Sequence, residues 1–474
     1  MIQLSDHFSY KRLLRFVISP ILMMIFCSIY SVVDGLFVSN FAGDDAFAAL
    51  NLVFPFIMVL AAVGFMFGAG GTAIVSKTMG EGKLRLAHKY FTLIVAVAAA
   101  TGIVLAAVGI LVLEPVAVWM GASGEDAALL PLCKRYGTIV LCALPFFMLQ
   151  NMFQNFFTTA EKPKLGFVFT VASGVANMVL DALFVAAFNW GLTGAAVATA
   201  ISQGIGGTAP IVYFSCKNSS KLRFERTRWY GKIVLKSCTN GLSELLGNIA
   251  MSLVSMLYNK QLIALVGKNG VNAYGVICYV QFVFVAIFIG YCIGVTPIVG
   301  FNFGAQNKAE LQNVFSKSLK LLAVVAVSML ALGVGLAYPI AQIFVGYNAE
   351  LCELTVRGMR LYSLCFLFAG FNMFGSCFFT ALNNGLVSAI LSFARTLVFQ
   401  IVCIYVLPLF WGVDGIWLST VVAELLSLVL TVVMFCAFKN RYGYVKKRER
   451  LPKSVFTENA TAEDVSQSEN NSAK

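Results

Sequence analysis

The sequence predicts an all-α polytopic membrane protein, with twelve transmembrane helices in two six-helix lobes that are related by a pseudo-two-fold axis along the membrane normal. Three observations predict this fold class. The 474 residues are 59% hydrophobic and only 12% charged, against about 25% charged in an average soluble domain. Twelve apolar stretches have the length of a membrane span, and the chain contains an internal repeat. A water-soluble globular fold is excluded because this many apolar side chains need lipid around them.

A transmembrane helix needs about 20 mostly apolar residues. The twelve stretches that meet this length are approximately 14–40, 46–75, 90–113, 133–159, 165–188, 191–216, 233–259, 272–300, 317–345, 354–382, 386–410 and 414–438. The first is longer than the apolar core of a signal peptide and has no small-residue cleavage pattern, so we expect it to be retained. Pro20 predicts a kink in this span, since an interior proline lacks a backbone donor.

Basic residues cluster in every second connector. The connectors between spans 2 and 3, 4 and 5, 6 and 7, and 8 and 9 are rich in Lys and Arg, as is the segment after span 12, whereas the opposite connectors are mainly acidic. By the positive-inside rule the basic connectors face the cytoplasm, which predicts a cell-membrane protein with both termini cytoplasmic. The net charge of +12 does not predict nucleic-acid binding, because no basic face is interleaved with aromatic residues.

The chain aligns with itself as two copies of a six-helix unit. The segment 72–80 matches 296–304 at an offset of 224, and 190–194 matches 411–415 at an offset of 221. Because six is even, the two copies have the same orientation and are parallel repeats, an arrangement found in transporters with a substrate site between their halves. The predicted organisation is a first lobe (1–216), a basic cytoplasmic linker (217–236), a second lobe (237–440) and a disordered cytoplasmic tail (441–474).

Two carboxylates lie within spans of the first lobe without an acidic counterpart in the second. Asp34 aligns with Tyr258, and Asp181 aligns with Val402. A carboxylate inside the membrane is destabilising unless it is paired, hydrated or protonated, and by default it indicates an ion pathway. A helix-to-helix hydrogen bond is the alternative interpretation.

Asn177 and Thr199 accompany these acids. Asn177 precedes Asp181 by four residues, so both project from one helix face. Carboxylate, amide and hydroxyl oxygens suit either Na⁺ or a proton. Thr199 alone is equally consistent with ordinary helix packing.

Span 4 carries a stripe of amides, for which we expect a wet substrate cavity rather than a contact between helices. The stripe consists of Gln150, Asn151, Gln154 and Asn155. In the second lobe Glu244 lies deep enough in span 7 to face the same cavity. For Arg395 two interpretations stay open: its side chain extends to the cytoplasm, or it pairs with an acid. No role follows for Glu424 from sequence alone.

Several function classes are excluded. The sequence has no phosphate-binding GxxxxGK[ST] loop and no recognisable set of nucleophile, base and orienting residue, so neither ATP-driven transport nor an enzyme is expected. The twelve Cys and two His are scattered, whereas a zinc site or a disulfide framework needs clustered residues. We therefore expect no cofactor and no metal beyond a coupling Na⁺.

Four motifs resemble those of the multidrug and toxic compound extrusion (MATE) transporters, in particular their bacterial drug-exporting branch. They are VVDGLFVSNFAG in span 1, GGTAIVSKTMGEGK after span 2, NMVLDALFV in span 5 and WGLTGAAVATAISQ in span 6. The resemblance covers residues 10–440. It implies a V-shaped cavity between the lobes and the export of amphipathic, often cationic compounds in exchange for Na⁺ or H⁺.

The resemblance also assigns residues. It implies a first-lobe ion site at Asp34, Asn177, Asp181 and Thr199, and cavity positions at Asn151 and Asn155. Glu244 resembles an acid of span 7 in some members, but the span 10 acid of other members is missing here. We expect a monomer whose partners are small amphipathic molecules and membrane lipid. The rival functions are a flippase for a lipid-linked substrate and a passive channel.

Overall fold

The computed structural model describes residues 2–42, 44–120, 122 and 129–445, which contain helices and no strand. The helices of the first half are α1 (Tyr10–Phe37), α2 (Asp44–Gly80), α3 (Leu84–Met120), α4 (Leu129–Thr159), α5 (Pro163–Asp181) and α6 (Gly191–Ser215). Those of the second half are α7 (Gly231–Val266), α8 (Lys268–Gly304), α9 (Lys308–Gly335), α10 (Ala337–Val345), α11 (Ala349–Ser363), α12 (Phe366–Ala381), α13 (Gly385–Phe393) and α14 (Phe399–Tyr442).

These helices account for twelve spans. Helices α11 and α12 meet at an angle of 46° and together form span 10. The run Gly385–Tyr442 has 58 apolar-rich residues, and Gly412 within it has φ +54° and ψ −128°, which divides it into spans 11 and 12. Span 9 begins and ends earlier than predicted, because its helix runs from Lys308 to Gly335 and a separate short helix, α10, follows.

The backbone repeats the internal symmetry of the sequence. Left-handed φ angles occur at Glu161 (+60°) and at Asn383 (+59°), which are 222 residues apart, and at Gly191 (+55°) and Gly412 (+54°), which are 221 apart. Each pair occupies the same turn of its half. Since left-handed backbone is uncommon for residues other than glycine, this coincidence confirms the two-lobe repeat independently of side-chain identity.

The lobes meet through reciprocal glycine contacts between α2 and α8. A side chain at Gly80 would strike the carbonyl group of Phe301, and a side chain at Gly304 would strike that of Lys77. All four positions lie at the ends of α2 and α8 beside the basic connectors, on the side that we call the basic face. Contacts exchanged in this way are expected across a two-fold axis, so the pseudo-two-fold axis passes between α2 and α8.

Two predicted boundaries differ from the structure. Helix α7 begins at Gly231, so the last six residues of the predicted linker 217–236 are helical. Helix α14 ends at Tyr442, and Tyr444 is 1% exposed, so the predicted tail 441–474 begins with folded residues. Residues 446–474 lie outside the described part of the chain.

The N-terminal segment 2–9 crosses the basic face and contacts both lobes. The amide of Leu4 donates to Glu161, in the turn between α4 and α5, at 2.9 Å. The amide of Phe8 donates to Glu310 of α9 at 2.9 Å, and His7 Nδ1 lies 2.7 Å from the same carboxylate. Leu4 and Phe8 are fully buried. The segment therefore fastens the two lobes together on this face.

Substitution of Glu310 by Ala is expected to lower the unfolding free energy by about 1–3 kcal/mol, because the buried amide of Phe8 loses its acceptor. The thermal unfolding midpoint of the detergent-solubilised protein measures this loss. Glu353→Ala, which removes an exposed acid of α11, is the matched control. Equal midpoints for the two variants would contradict the role of segment 2–9 as a fastening between lobes.

Candidate functional site

A close approach of α1 to α5 builds the first-lobe site. Gly174 of α5 packs on the rings of Phe26 and Tyr30, and a Cβ at this position would lie 2.5 Å from Phe26. Both helices run away from the basic face. Asp34 follows Tyr30 by four residues and Asp181 follows Gly174 by seven, so both acids lie on the contacting faces farther along the same pair of helices.

The structure brings the two predicted acids together. The carboxyl groups of Asp34 and Asp181 lie close enough to interact with each other. Asp181 is fully buried, Asn177 one turn earlier is 2% exposed, and Asp34 is partly exposed. Tyr136 of α4, which is 5% exposed, lies close enough to interact electrostatically with both acids. Two carboxylates have no donor between them, so a hydrogen bond here requires a proton on one of them.

Unpartnered polar atoms concentrate at this place. Among the described residues, the buried side-chain atoms without a hydrogen-bond partner include Asp34 Oδ1, both carboxylate oxygens of Asp181 and Asn177 Nδ2. Buried polar atoms are nearly always hydrogen-bonded in native proteins. Three carboxylate oxygens without donors therefore point to a cation as the missing partner.

Three of the charged residues inside the spans lie in or next to π-helical turns. Within the described residues, π-helical segments cover Val38–Ala42, one turn after Asp34, Ala182–Ala187, directly after Asp181, and Ala394–Val398, which contains Arg395. Such segments are rare and occur frequently at functional sites. The coincidence supports a special role for these three charges.

Sequence reasoning missed Tyr136. Nothing in the sequence around Tyr136 separates it from the other tyrosines of the chain, because its proximity to the acids arises only from the packing of α4.

The amide stripe of span 4 does not line an open cavity, contrary to expectation. Gln150, Asn151, Gln154 and Asn155 are 6–8% exposed. Gln150 donates to Ser173 of α5 at 3.3 Å, and the other three donate to α1 or to α4 itself. The crevice beside Gln150 has a cavity volume of only about 10 Å³, far below the size of a drug site. Gln150 and Gln154 thus join α4 to α5 and α1, whereas Asn151 and Asn155 bond within α4, and amide spacing alone does not distinguish these roles from cavity lining.

In the second lobe, Arg395 pairs with an acid, which decides between the two alternatives that the sequence left open. Its Nε donates to Glu424 at 2.9 Å. Asn372 of α12 donates to the other oxygen of Glu424 at 2.7 Å, and Thr431 donates to Asn372 at 3.1 Å. Arg395, Glu424 and Asn372 form a connected network in the second lobe, in which Glu424 and Asn372 are buried and Arg395 is partly exposed.

Glu244 of α7 lies next to this network. Ser392, one turn before Arg395, donates to the carbonyl of Ser243 at 2.9 Å, and Arg395 is close enough to interact electrostatically with Glu244. Glu244 is partly exposed. The two lobes therefore differ. Asp34 and Asp181 in the first lobe have no basic residue as a partner among the described residues, whereas Glu424 in the second lobe is paired with Arg395.

The chemistry available at the first-lobe site is the binding of a proton or a hard monovalent cation. Carboxylate, amide and hydroxyl groups offer oxygen ligands. Among the described residues, no group of three or more His, Cys, Asp or Glu side chains has the arrangement of a metal site.

A family model described as MatE matches residues 20–183 and 245–406 of this chain. The two matched segments coincide with equivalent parts of the two lobes. The chain is also 23% identical over 440 residues to the multidrug export protein MepA of Staphylococcus haemolyticus (strain JCSC1435), and the match covers 91% of this chain and 94% of that protein.

Solved structures share the fold. A crystal structure of a MATE protein in complex with MaL6 has a TM-score of 0.85 at 20% identity and covers 92% of this chain and 98% of its own. A MOP superfamily transporter from Pyrococcus furiosus Vc1, described as having a binding pocket of reverse polarity that suggests a different function, has a TM-score of 0.84 at 22% identity and covers 93% and 98%. These likenesses concern the fold.

Proposed function

This chain belongs to the MatE family, and we propose that it is a membrane transporter that exports amphipathic, cationic multidrug compounds in exchange for Na⁺ or H⁺. The relative named as a multidrug export protein supports the substrate class. The observation that carries the exchange is the pair of facing acids, Asp34 and Asp181, whose oxygens lack donors within the described residues. Among the described residues, ten helices are long and apolar enough to cross a membrane, and the bent pair α11 and α12 adds an eleventh span. The run Gly385–Tyr442 counts as one of the ten, although Gly412 divides it into two spans.

The coupling ion acts on the first lobe. Two carboxylates held side by side in a low-dielectric interior repel each other, so binding of one cation relieves the repulsion and lets α1 and α5 approach. Asn177 and Thr199 supply further oxygens. Release of the ion restores the repulsion and separates the helices. One charge that moves down a potential of 100 mV supplies about 2.3 kcal/mol, which is enough to bias two states of the lobe.

The direction of transport follows from the basic face. We call the contact between α2 and α8 around Gly80 and Gly304 the seam. With the basic face in the cytoplasm of a cell-membrane protein, the seam closes the space between the lobes to the cytoplasm. We propose that the lobes 1–216 and 237–440 rock about this seam, that the linker and the tail 441–474 stay cytoplasmic, and that the monomer is the working unit.

A flippase for a lipid-linked anionic substrate is the alternative. Such a cavity requires free cations near the middle of the membrane. Arg395 is the one basic residue that sequence placed there, and its Nε is engaged by Glu424 at 2.9 Å. The charge left over in the second lobe is the carboxylate of Glu244, which favours a cationic substrate.

Reconstitution into proteoliposomes tests the exchange and identifies the ion. We expect an inward Na⁺ gradient or an inward H⁺ gradient, each imposed alone, to drive efflux of a lipophilic cationic dye against its concentration gradient. Protein-free liposomes under the same gradients are the control. Dye movement that only dissipates a dye gradient would instead indicate a passive channel, and transport of a lipid-linked anion without dye efflux would indicate the flippase.

A further inference from the structure

The ion pair with Glu424 satisfies only part of the guanidinium group of Arg395. Its Nε donates to Glu424, whereas its two terminal nitrogens have no hydrogen-bond or ion-pair partner among the described residues. A guanidinium has five donors. The side chain is 18% exposed, so its terminal donors remain accessible to a further group.

Glu244 of α7 lies next to Arg395. Ser392 Oγ bonds to the backbone beside Glu244 and lies 3.2 Å from where a Cβ on Gly247 would be. The glycine, one turn after Glu244, lets the end of α13, directly before the π-helical turn that carries Arg395, pack closely on α7. No hydrogen bond or ion pair engages the carboxylate of Glu244 within residues 2–445 as described.

The charges of this group do not balance. Arg395 supplies one positive charge, and Glu424 and Glu244 supply two negative charges when ionised. Glu424 holds its position through Asn372, which donates to both its carboxylate and its carbonyl. Glu244 has no such support and is partly exposed. A single cation is thus shared between a fixed acid and a free acid.

We propose that Arg395 is an internal cation that competes with a cationic substrate for Glu244, a step that rests on the proposed export function. With the substrate bound, Arg395 stays with Glu424 and Glu244 faces the substrate charge. When the substrate leaves, the terminal nitrogens of Arg395 turn to Glu244 and satisfy it. The second lobe therefore releases its cargo without binding a coupling ion of its own, and ion coupling is confined to the first lobe.

Variants at the two partners of this competition are expected to shift affinity in opposite directions. The probe is tetraphenylphosphonium, a lipophilic monovalent cation, and its Kd is measured by equilibrium dialysis on the purified full-length protein. Arg395→Gln removes the competitor and should lower the Kd about tenfold. Glu424→Gln frees Arg395 to pair with Glu244 and should raise it about tenfold, since a hydrogen bond to a charged group contributes about 1.5–3 kcal/mol.

Two further comparisons and a matched control secure the interpretation. Glu244→Gln should weaken binding of the probe. Adding Arg395→Gln to it should not change the Kd further, because the carboxylate for which Arg395 and the probe compete is then absent. Since Arg395→Gln leaves Glu424 unpaired and can destabilise the lobe, the double variant Arg395→Gln/Glu424→Gln removes both charges and should still lower the Kd. Arg357→Gln, which breaks an exposed pair with Asp414, is the matched control and should leave the Kd unchanged.

Kd values that do not move in opposite directions in Arg395→Gln and Glu424→Gln would overturn the competition, as would absence of probe binding by the unsubstituted protein. The export proposal fails separately. Loss of gradient-driven efflux with the opposite Kd shifts intact contradicts export and supports the competition, whereas intact efflux with unshifted Kd values overturns the competition alone.

Discussion

Substitution of Asp181 by Asn is expected to reduce ion-driven efflux to the level of protein-free liposomes. Asp181 is fully buried, and neither of its carboxylate oxygens has a donor among the described residues, so the charge is unsatisfied until a cation binds. An amide of the same shape removes both the charge and the repulsion from Asp34. Asp34→Asn should have the same effect, because the pair acts as one site. Efflux from proteoliposomes under the imposed gradient measures the loss.

Probe binding separates this loss from misfolding. Both variants should bind tetraphenylphosphonium as the unsubstituted protein does, because the cation for export is expected at Glu244 and not between the two acids. Glu114→Gln, which neutralises an exposed acid paired with Lys134 at 2.7 Å, should transport normally and is the control. Undiminished gradient-driven efflux by both Asp34→Asn and Asp181→Asn would refute the coupling role of the pair.

The two acids of the first lobe were predictable from sequence because the internal repeat allows each residue to be compared with its counterpart in the second lobe. Asp34 and Asp181 have Tyr258 and Val402 as repeat partners, so the fold does not require acids at these places. What the sequence did not contain was their proximity, which depends on Gly174 bringing α5 against Phe26 and Tyr30. The position of Tyr136 was unpredictable for the same reason, since contacts between helices are set by packing and not by spacing within one helix.

The pairing of Arg395 and the burial of the span 4 amides show the limit of patterns within one span. A lone arginine 10 residues into a span is within reach of the membrane surface or of an acid on another helix, and only the arrangement of α12 to α14 decides for Glu424. Amides spaced by four residues form a stripe in either case. Whether the stripe meets water or another helix depends on neighbours such as Gly206, against which Gln150 packs.

The ion site lies on α1 and α5 away from the basic face, whereas the lobe seam joins the ends of α2 and α8 at that face. Asp34 follows the start of α1 by 24 residues, about 36 Å along the helix at 1.5 Å per residue, whereas Gly80 ends α2 at the basic face. An event at the acids thus reaches the seam only through helices that move as rigid bodies. The seam must accordingly close tightly in one state and open in the other. Closure requires that Gly80 and Gly304 have no side chain, because a Cβ at either position would strike the backbone of the facing helix.

Substitution of Gly304 by Ala is expected to shift the protein away from the state that is closed on the basic face. The added methyl group would strike the carbonyl group of Lys77, and neither backbone can yield while α2 and α8 stay helical, so overpacking opposes closure by about 1–3 kcal/mol. Spin labels at positions 83 and 308, on a background without the twelve free cysteines, should report longer distances, and efflux should fall about tenfold or more.

Gly275 provides the matched control for this substitution because it lies on the same helix with nothing within 4 Å of its Cβ position. Gly275→Ala should keep both the distance and the efflux of the unsubstituted protein, since it adds the same methyl group to α8 without a contact across the seam. If Gly304→Ala also keeps both, the lobes do not close through this contact. A longer distance with normal efflux would mean that closure at Gly304 is not the step that limits transport.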